Sequence, residues 1–162
     1  CEIKLAGDGS SMSAEIGYVA AGKERLDMSY CVRHIGKKTE CAINAAGALR
    51  DTAFKLFRGT IDFVKGSAGS VGNEKEEVLL IDEKCVNQTI PIILCAEEDV
   101  VGNHGATIGK PDEELLFYLE SRGIPAQECY NMLAAAKLLA VCGKIPDDGI
   151  RNEIHDYIKE VY

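Results

Sequence analysis

The sequence predicts a mainly β fold with an α-helical tail. Three observations carry this expectation. Hydrophobicity alternates with period two through much of the first two thirds of the chain, no helix-length pattern separates the alternating stretches, and the period turns helical after Pro111. The chain has 162 residues, enough for a domain with a sizeable core. Its composition, 46% hydrophobic and 27% charged, is that of an ordinary globular protein and excludes disorder of the whole chain.

In the first region Met28, Tyr30, Val32 and His34 alternate with Ser29, Cys31 and Arg33. Cys41, Ile43, Ala45, Gly47 and Leu49 share one face, and Ala42, Asn44, Ala46 and Ala48 the other; such small side chains suit closely stacked layers. Phe57, Gly59, Ile61 and Phe63 alternate with Arg58, Thr60 and Asp62. The runs Val78–Ile81 and Ile90–Cys95 are apolar at every position, which predicts strands covered on both faces. Pro91 lacks a ladder donor and belongs at a strand start, an edge or a bulge. Turns are expected at Gly36-Lys37-Lys38, Arg50-Asp51 and Asp82-Glu83. The segment from Lys65 to Glu77, with Gly66, Gly69, Gly72 and Asn73 among charges, reads as an exposed loop. Many short strands with polar turns fit a sandwich, a barrel or a solenoid, and no strict repeat chooses among them.

After Pro111 three short amphipathic helices are expected. Asp112 caps the first, Leu115, Leu116 and Leu119 form its stripe, and Gly123 ends it. Pro125 opens the second, with Cys129, Met132, Leu133, Ala136 and Ala140 as its stripe and Gly143 as its stop. Pro146 opens the third, with Ile150, Ile154, Tyr157, Ile158 and Val161 on one face. The organisation predicted is a β domain over residues 1–110 and a helical domain over 111–162. The chain opens at Cys1 straight into Glu2-Ile3-Lys4-Leu5, which reads as a piece of a longer β domain.

The bulk chemistry narrows the function classes. A formal net charge of -8 disfavours a nucleic-acid groove. No apolar run is long enough to span a bilayer; the longest helical one, Met132 to Cys142, is interrupted by Lys137. Seven cysteines without a CxxC pair argue against both a secreted disulfide framework and a preformed structural zinc site, and point to a reducing cytoplasm. Gly105 to Lys110 is not a phosphate loop: three residues separate its glycines, and Pro111 follows Lys110 and removes an N–H.

His104 is the best single site candidate. It lies between the carboxylates Glu97-Glu98-Asp99 and a Gly-rich turn, and an imidazole suits iron, the more so beside a thiolate. The plainer role is a hydrogen bond that holds the turn. Cys85 and Cys95 precede His104 and are ten apart, as are Cys31 and Cys41. These cysteines read first as core or turn residues; the functional alternative is that Cys85 or Cys95 joins His104 as a soft ligand.

The stretch Asn103-His104-Gly105-Ala106-Thr107-Ile108-Gly109, followed by Asp112-Glu113-Glu114-Leu115-Leu116-Phe117-Tyr118-Leu119-Glu120-Ser121-Arg122-Gly123-Ile124, resembles the C-terminal signature of the SufB/SufD family. That signature is a His-(Gly/Glu)-Ala-Thr turn leading into an acidic helix with Phe-Tyr-Leu and Ser-Arg-Gly. Phe57-Arg58-Gly59-Thr60-Ile61 and the stretch from Tyr30 to Gly36, with Arg33 and His34, are also similar to the family. The resemblance implies a right-handed parallel β-helix followed by a small three-helix domain. It implies a non-enzymatic scaffold for iron–sulfur cluster assembly, with no firmly bound cofactor and with iron or a cluster held in transit. Subunits of the family pair through the β-helix, so a dimer with a SufB/SufD-type subunit or with itself is expected. The helical end is expected to bind the ABC-type ATPase SufC, with Phe117, Tyr118, Leu119 and Arg122 as candidate contacts.

The chain departs from SufB-type members, which flank the histidine with glutamates and carry an upstream cysteine. Asn103 and Gly105 stand at the flanks here, and Glu76 and Glu77 near the cysteine position, so the chain resembles SufD more than SufB. Two other functions fit the residues less well. A carbohydrate-active β-helix enzyme with paired carboxylates is weakened by the absence of Trp. A metal-free interaction module has the same fold and no site.

Overall fold

A computed structural model describes residues 1–161, and of Val161 only its place in the last helix. Eight strands precede three helices: β1 (Glu2–Leu5), β2 (Ser11–Ala20), β3 (Arg25–His34), β4 (Glu40–Leu49), β5 (Phe54–Phe63), β6 (Ser70–Leu80), β7 (Val86–Cys95) and β8 (Val100–Gly109), then α1 (Glu113–Ser121), α2 (Ala126–Cys142) and α3 (Asp148–Val161). Odd strands form one parallel sheet in the order β1-β3-β5-β7, and even strands another, β2-β4-β6-β8. The chain thus changes sheet at every strand and closes one coil with every pair. The result is a parallel β-helix of four coils. Ser11 lies beside Glu40 and Phe54 beside Val86, so the step per coil drifts from 29 to 32 residues. That drift hides the repeat in the sequence.

Alternation follows from the geometry: every second side chain enters the narrow space between the sheets. Val32, Ile43, Leu49, Phe57, Ile61 and Phe63 are wholly enclosed there, each worth about 1.5–3 kcal/mol of transfer free energy. The face made of Cys41, Ile43, Ala45, Gly47 and Leu49 points inward as its pattern predicts. Lys38 and Asp51 take positive φ, 53° and 60°, at two of the expected turns. Successive corners are tied together: the Asp51 carboxylate accepts from the Gly22 N–H at 2.8 Å, and the Asp51 N–H donates to the Asp82 carboxylate at 2.6 Å.

Three sequence expectations are corrected. The loop read from Lys65 to Glu77 is a turn only as far as Gly69; Ser70–Leu80 is strand β6, with Ser70, Glu74 and Glu76 buried. Charged residues concealed its alternation, because two of its inward side chains are carboxylates. The Gly-rich turn around His104 is also a strand, β8, paired with β6 from Val100↔Ser70 to Gly109↔Leu79. The uniformly apolar run in β7 is not covered on both faces: Ile90 and Leu94, register partners of the outward-facing Arg58 and Asp62, point away from the interior and are 43% and 51% exposed. Pro91 sits on that edge strand, as its missing donor requires. Two further strands, β1 and β2, begin the fold inside the predicted β domain, in a stretch where the alternation alone marks no strand.

Asp112 caps α1, its carboxylate accepting from the N–H groups of Glu114 and Leu115. α2 lies across β2 and β4, with Val141 and Leu138 packed over Gly17. Lys137 pairs with Glu77 and Lys144 with Glu15 along the same seam. α2 meets the sheet, α1 and α3 at once, so of its buried residues only Cys129 lies in the predicted stripe, Ala134 and Cys142 fall outside it, and Met132 is exposed. No residue of α1 is fully buried. In α3 only Ile158 of the predicted face is buried among the described residues; the side chain of Val161 lies outside them.

Candidate functional site

The last two coils carry the unusual chemistry. Inward positions of β5 are Lys55, Phe57, Gly59, Ile61 and Phe63; those of β6 are Ser70, Gly72, Glu74, Glu76 and Val78. Three of these ten are charged, and Lys55, Glu74 and Glu76 are 0%, 4% and 1% exposed. Buried charge is tolerated only when paired and hydrogen-bonded. Glu76 meets that condition. It forms an ion pair with Lys55, and accepts from the hydroxyl of Tyr18 at 2.8 Å and that of Thr89 at 2.6 Å. Lys55 also donates to Thr89 Oγ1 at 3.2 Å, and its ammonium lies 5.4 Å and 5.5 Å from the ring centres of Tyr18 and Phe57.

Burial pushes the Tyr18 hydroxyl upward, and the Glu76 carboxylate adds to the effect. Burial lowers Lys55, while its bond to Glu76 opposes the change. Glu74 is raised to about 7, first by burial and then by the charge of Glu76. Its carboxylate rests against Gly59 across the interior, where any Cβ would overlap it, and Oε2 has no hydrogen-bond partner. None of these residues was singled out from the sequence as a site. The signal is present in Ser70, Gly72, Glu74, Glu76 and Val78, which repeat with period two, but their polarity mimics that of an exposed segment.

The final coil, β7 and β8, lies over this polar interior. Side chains in register on neighbouring parallel strands project to the same face. Cys95 is the register partner of Phe63, and His104 that of Glu74; both partners point inward. Cys95 and His104 thus occupy inward positions of a coil that no described strand covers, and both are exposed. The Cys95 thiol lies 3.0 Å from the Glu97 carbonyl. Cys85 precedes the opposite end of β7, half-buried, 3.8 Å from the Asp51 carbonyl, with its thiol raised by burial. A strand of ten residues spans on the order of 30 Å, so Cys85 and Cys95 of one chain cannot hold the same ion. Among the described residues no group of three His, Cys, Asp or Glu side chains is placed to hold a metal.

The earlier cysteine pair does not converge. Cys31 is on the outward face of β3, and Cys41 faces inward from β4. Cys41 instead meets a buried histidine. His34 contacts Cys41 Sγ at 3.2 Å and Thr39 Oγ1 at 2.7 Å, and its ring centre is 4.7 Å from that of Phe63. Burial lowers His34 and raises Cys41 to about 11. This is a satisfied core cluster, its thiol protonated at neutral pH. All seven cysteines are free.

On the helical end Phe117 and Tyr118 are 74% and 51% exposed, and the Arg122 guanidinium lies 4.8 Å from the Tyr118 ring centre. Leu119 is half-buried on the other side of α1. Three of the four predicted contact residues thus share the surface.

Comparison with known proteins agrees with this architecture. The family model described as SUF system FeS cluster assembly, SufBD core domain, matches residues 1–137. The chain is 29% identical over 155 residues to the iron–sulfur cluster assembly protein SufD of Bacillus subtilis, covering 96% of the chain and 36% of that protein. It is 28% identical over 130 residues to SufB of the same organism, covering 80% and 28%. It is 29% identical over 104 residues to SufD of Escherichia coli, covering 64% and 25%. The chain spans about a third or less of the length of these curated relatives. With the family model matching most of its residues, a parallel β-helix followed by three helices, and the SufD protein matched over nearly all of it, the chain belongs to the SufB/SufD family of SUF-system iron–sulfur cluster assembly proteins.

Proposed function

We propose that this chain is a non-enzymatic scaffold part of a SUF iron–sulfur assembly complex in the cytoplasm. It pairs with a SufB/SufD-type subunit or a second copy through its last coil, and holds iron or a nascent cluster in transit at His104 and Cys95. The observation that carries this reading is the open end of the β-helix. β7 and β8 end their sheets and are exposed, and the two candidate ligands stand at inward positions of that coil. A free strand edge is a template for pairing with another chain, and Val86, Ile90 and Leu94 add exposed apolar surface beside it. One chain offers too few ligands for a stable site; a twofold pairing supplies a second set.

The test is anaerobic iron reconstitution of wild type, His104→Ala, Cys95→Ser and Ile92→Lys, with sedimentation of each sample. Iron affinity should drop at least about tenfold in the His104 and Cys95 variants. Ile92→Lys should sediment as a monomer and lose iron with the dimer. Wild-type binding by His104→Ala refutes the metal site. A wild-type monomer at roughly tens of micromolar refutes the pairing.

The exposed aromatic surface of α1 supports a second contact, with a SufC-type ABC ATPase. Phe117→Ala or Tyr118→Ala should each weaken that complex by about 1–3 kcal/mol. Calorimetric titration with purified SufC measures the loss, with circular dichroism as the folding control. Undiminished binding by a folded double variant rules this surface out.

A further inference from the structure

Three buried side-chain oxygens have no hydrogen-bond partner among the described residues: Ser67 Oγ, Glu74 Oε2 and Asn87 Oδ1. That of Glu74 lies in the interior below the last coil, and that of Asn87 at an inward position of β7, within the last coil. A buried acceptor left unpaired is costly, so each calls for a donor. Most donors nearby are committed. The hydroxyls of Tyr18 and Thr89 go to Glu76, and the Asn87 amide to Thr89. Lys55 donates to Glu76 and Thr89, and its register partner is Asn87, the other orphan of this interior.

The two strands beside Glu74 decide what remains. On β4 its register partner is Ile43, which has no polar side-chain atom. On β8 it is His104. Neighbouring strands lie about 4.8 Å apart, so the imidazole is within reach of a glutamate by rotation of side chains alone. Gly59, opposite, leaves the carboxylate its space.

We propose that Glu74 is a positioning residue for His104: its orphaned Oε2 accepts the imidazole N–H. The bond holds the ring on the inward face of the last coil and sets which ring nitrogen stays free. A carboxylate behind a metal-binding histidine fixes its tautomer and raises its basicity toward the metal. The contact stands on register and an unpaired oxygen; only its consequence for iron rests on the proposed role of His104.

The experiment is nitrogen-15 NMR of the histidine-labelled chain at pH 8, with His104→Ala to assign the signals. Wild type should show His104 in one dominant tautomer, and Glu74→Gln a mixture close to that of free imidazole. An identical His104 spectrum in the two folded proteins overturns the proposal. Should Glu74→Gln fail to fold, the Glu74 side-chain carboxyl carbon shift in wild type and His104→Ala reads the same contact from the other side. A shift difference supports the contact, and equal shifts overturn it. Anaerobic iron titration then measures the consequence, a loss of about tenfold or more in Glu74→Gln. Loss of iron binding in Glu74→Gln with no change in the His104 spectrum also overturns the positioning role. If His104→Ala binds iron as wild type does, the metal reading fails, while the spectra still judge the Glu74 contact.

Discussion

Replacing Lys55 by Met should destabilise the protein by about 3–5 kcal/mol, the usual cost of removing one partner of a buried ion pair. Lys55 and Glu76 are both almost wholly enclosed. Without the ammonium, Glu76 keeps two hydroxyl donors, Tyr18 and Thr89, but an uncompensated charge remains between the sheets. The companion variant separates charge from packing: Lys55→Met with Glu76→Gln removes both charges and should recover more than half of the loss. Urea unfolding of the two variants measures this. A Lys55→Met protein within about 1 kcal/mol of wild type would show that the pair carries no such stabilisation.

The second large effect is a dependence on pH that Glu74 imposes. Its carboxyl is raised to about 7 in the folded chain by burial and by Glu76, against an ordinary value of 4.5. For an acid raised on folding, the stabilisation is full below the unfolded value and is lost as pH climbs through the folded value. The loss therefore runs from about pH 4.5 to 7 and then levels. A difference of about 2.5 pH units corresponds to about 3 kcal/mol. Glu76 and Lys55 face the same interior, and His104 stands beside Glu74 on β8. His34, lowered by burial, acts in the opposite sense as pH falls. The observable is thus the gap between wild type and Glu74→Gln. Glu74→Gln should gain about 2–3 kcal/mol on wild type between pH 5 and 8.5, measured by denaturant unfolding at each pH. A constant gap across that range would show that Glu74 does not titrate as its burial requires.

The sequence alone determined the elements whose inward faces are apolar. The alternation through Met28–His34, Cys41–Leu49 and Phe57–Phe63 survives as β3, β4 and β5, and Asp112, Gly123 and Pro125 mark the helix ends. These signals are local: they need only the strand period, the helix period and the capping chemistry. The resemblance around His104 named the family by the same stretch that proved to be strand β8. Only the tertiary structure decided the rest. β6 became visible once Lys55, Tyr18 and Thr89, 21, 58 and 13 residues from Glu76, were seen to satisfy its buried carboxylate. A polar side chain belongs inside when its partner is inside, and the partner comes from another strand. The same holds for exposure. The apolar run in β7 looks like core in sequence, but Ile90 and Leu94 face outward from the β-helix, because a two-sheet coil encloses only one face of each strand and the tertiary fold decides which.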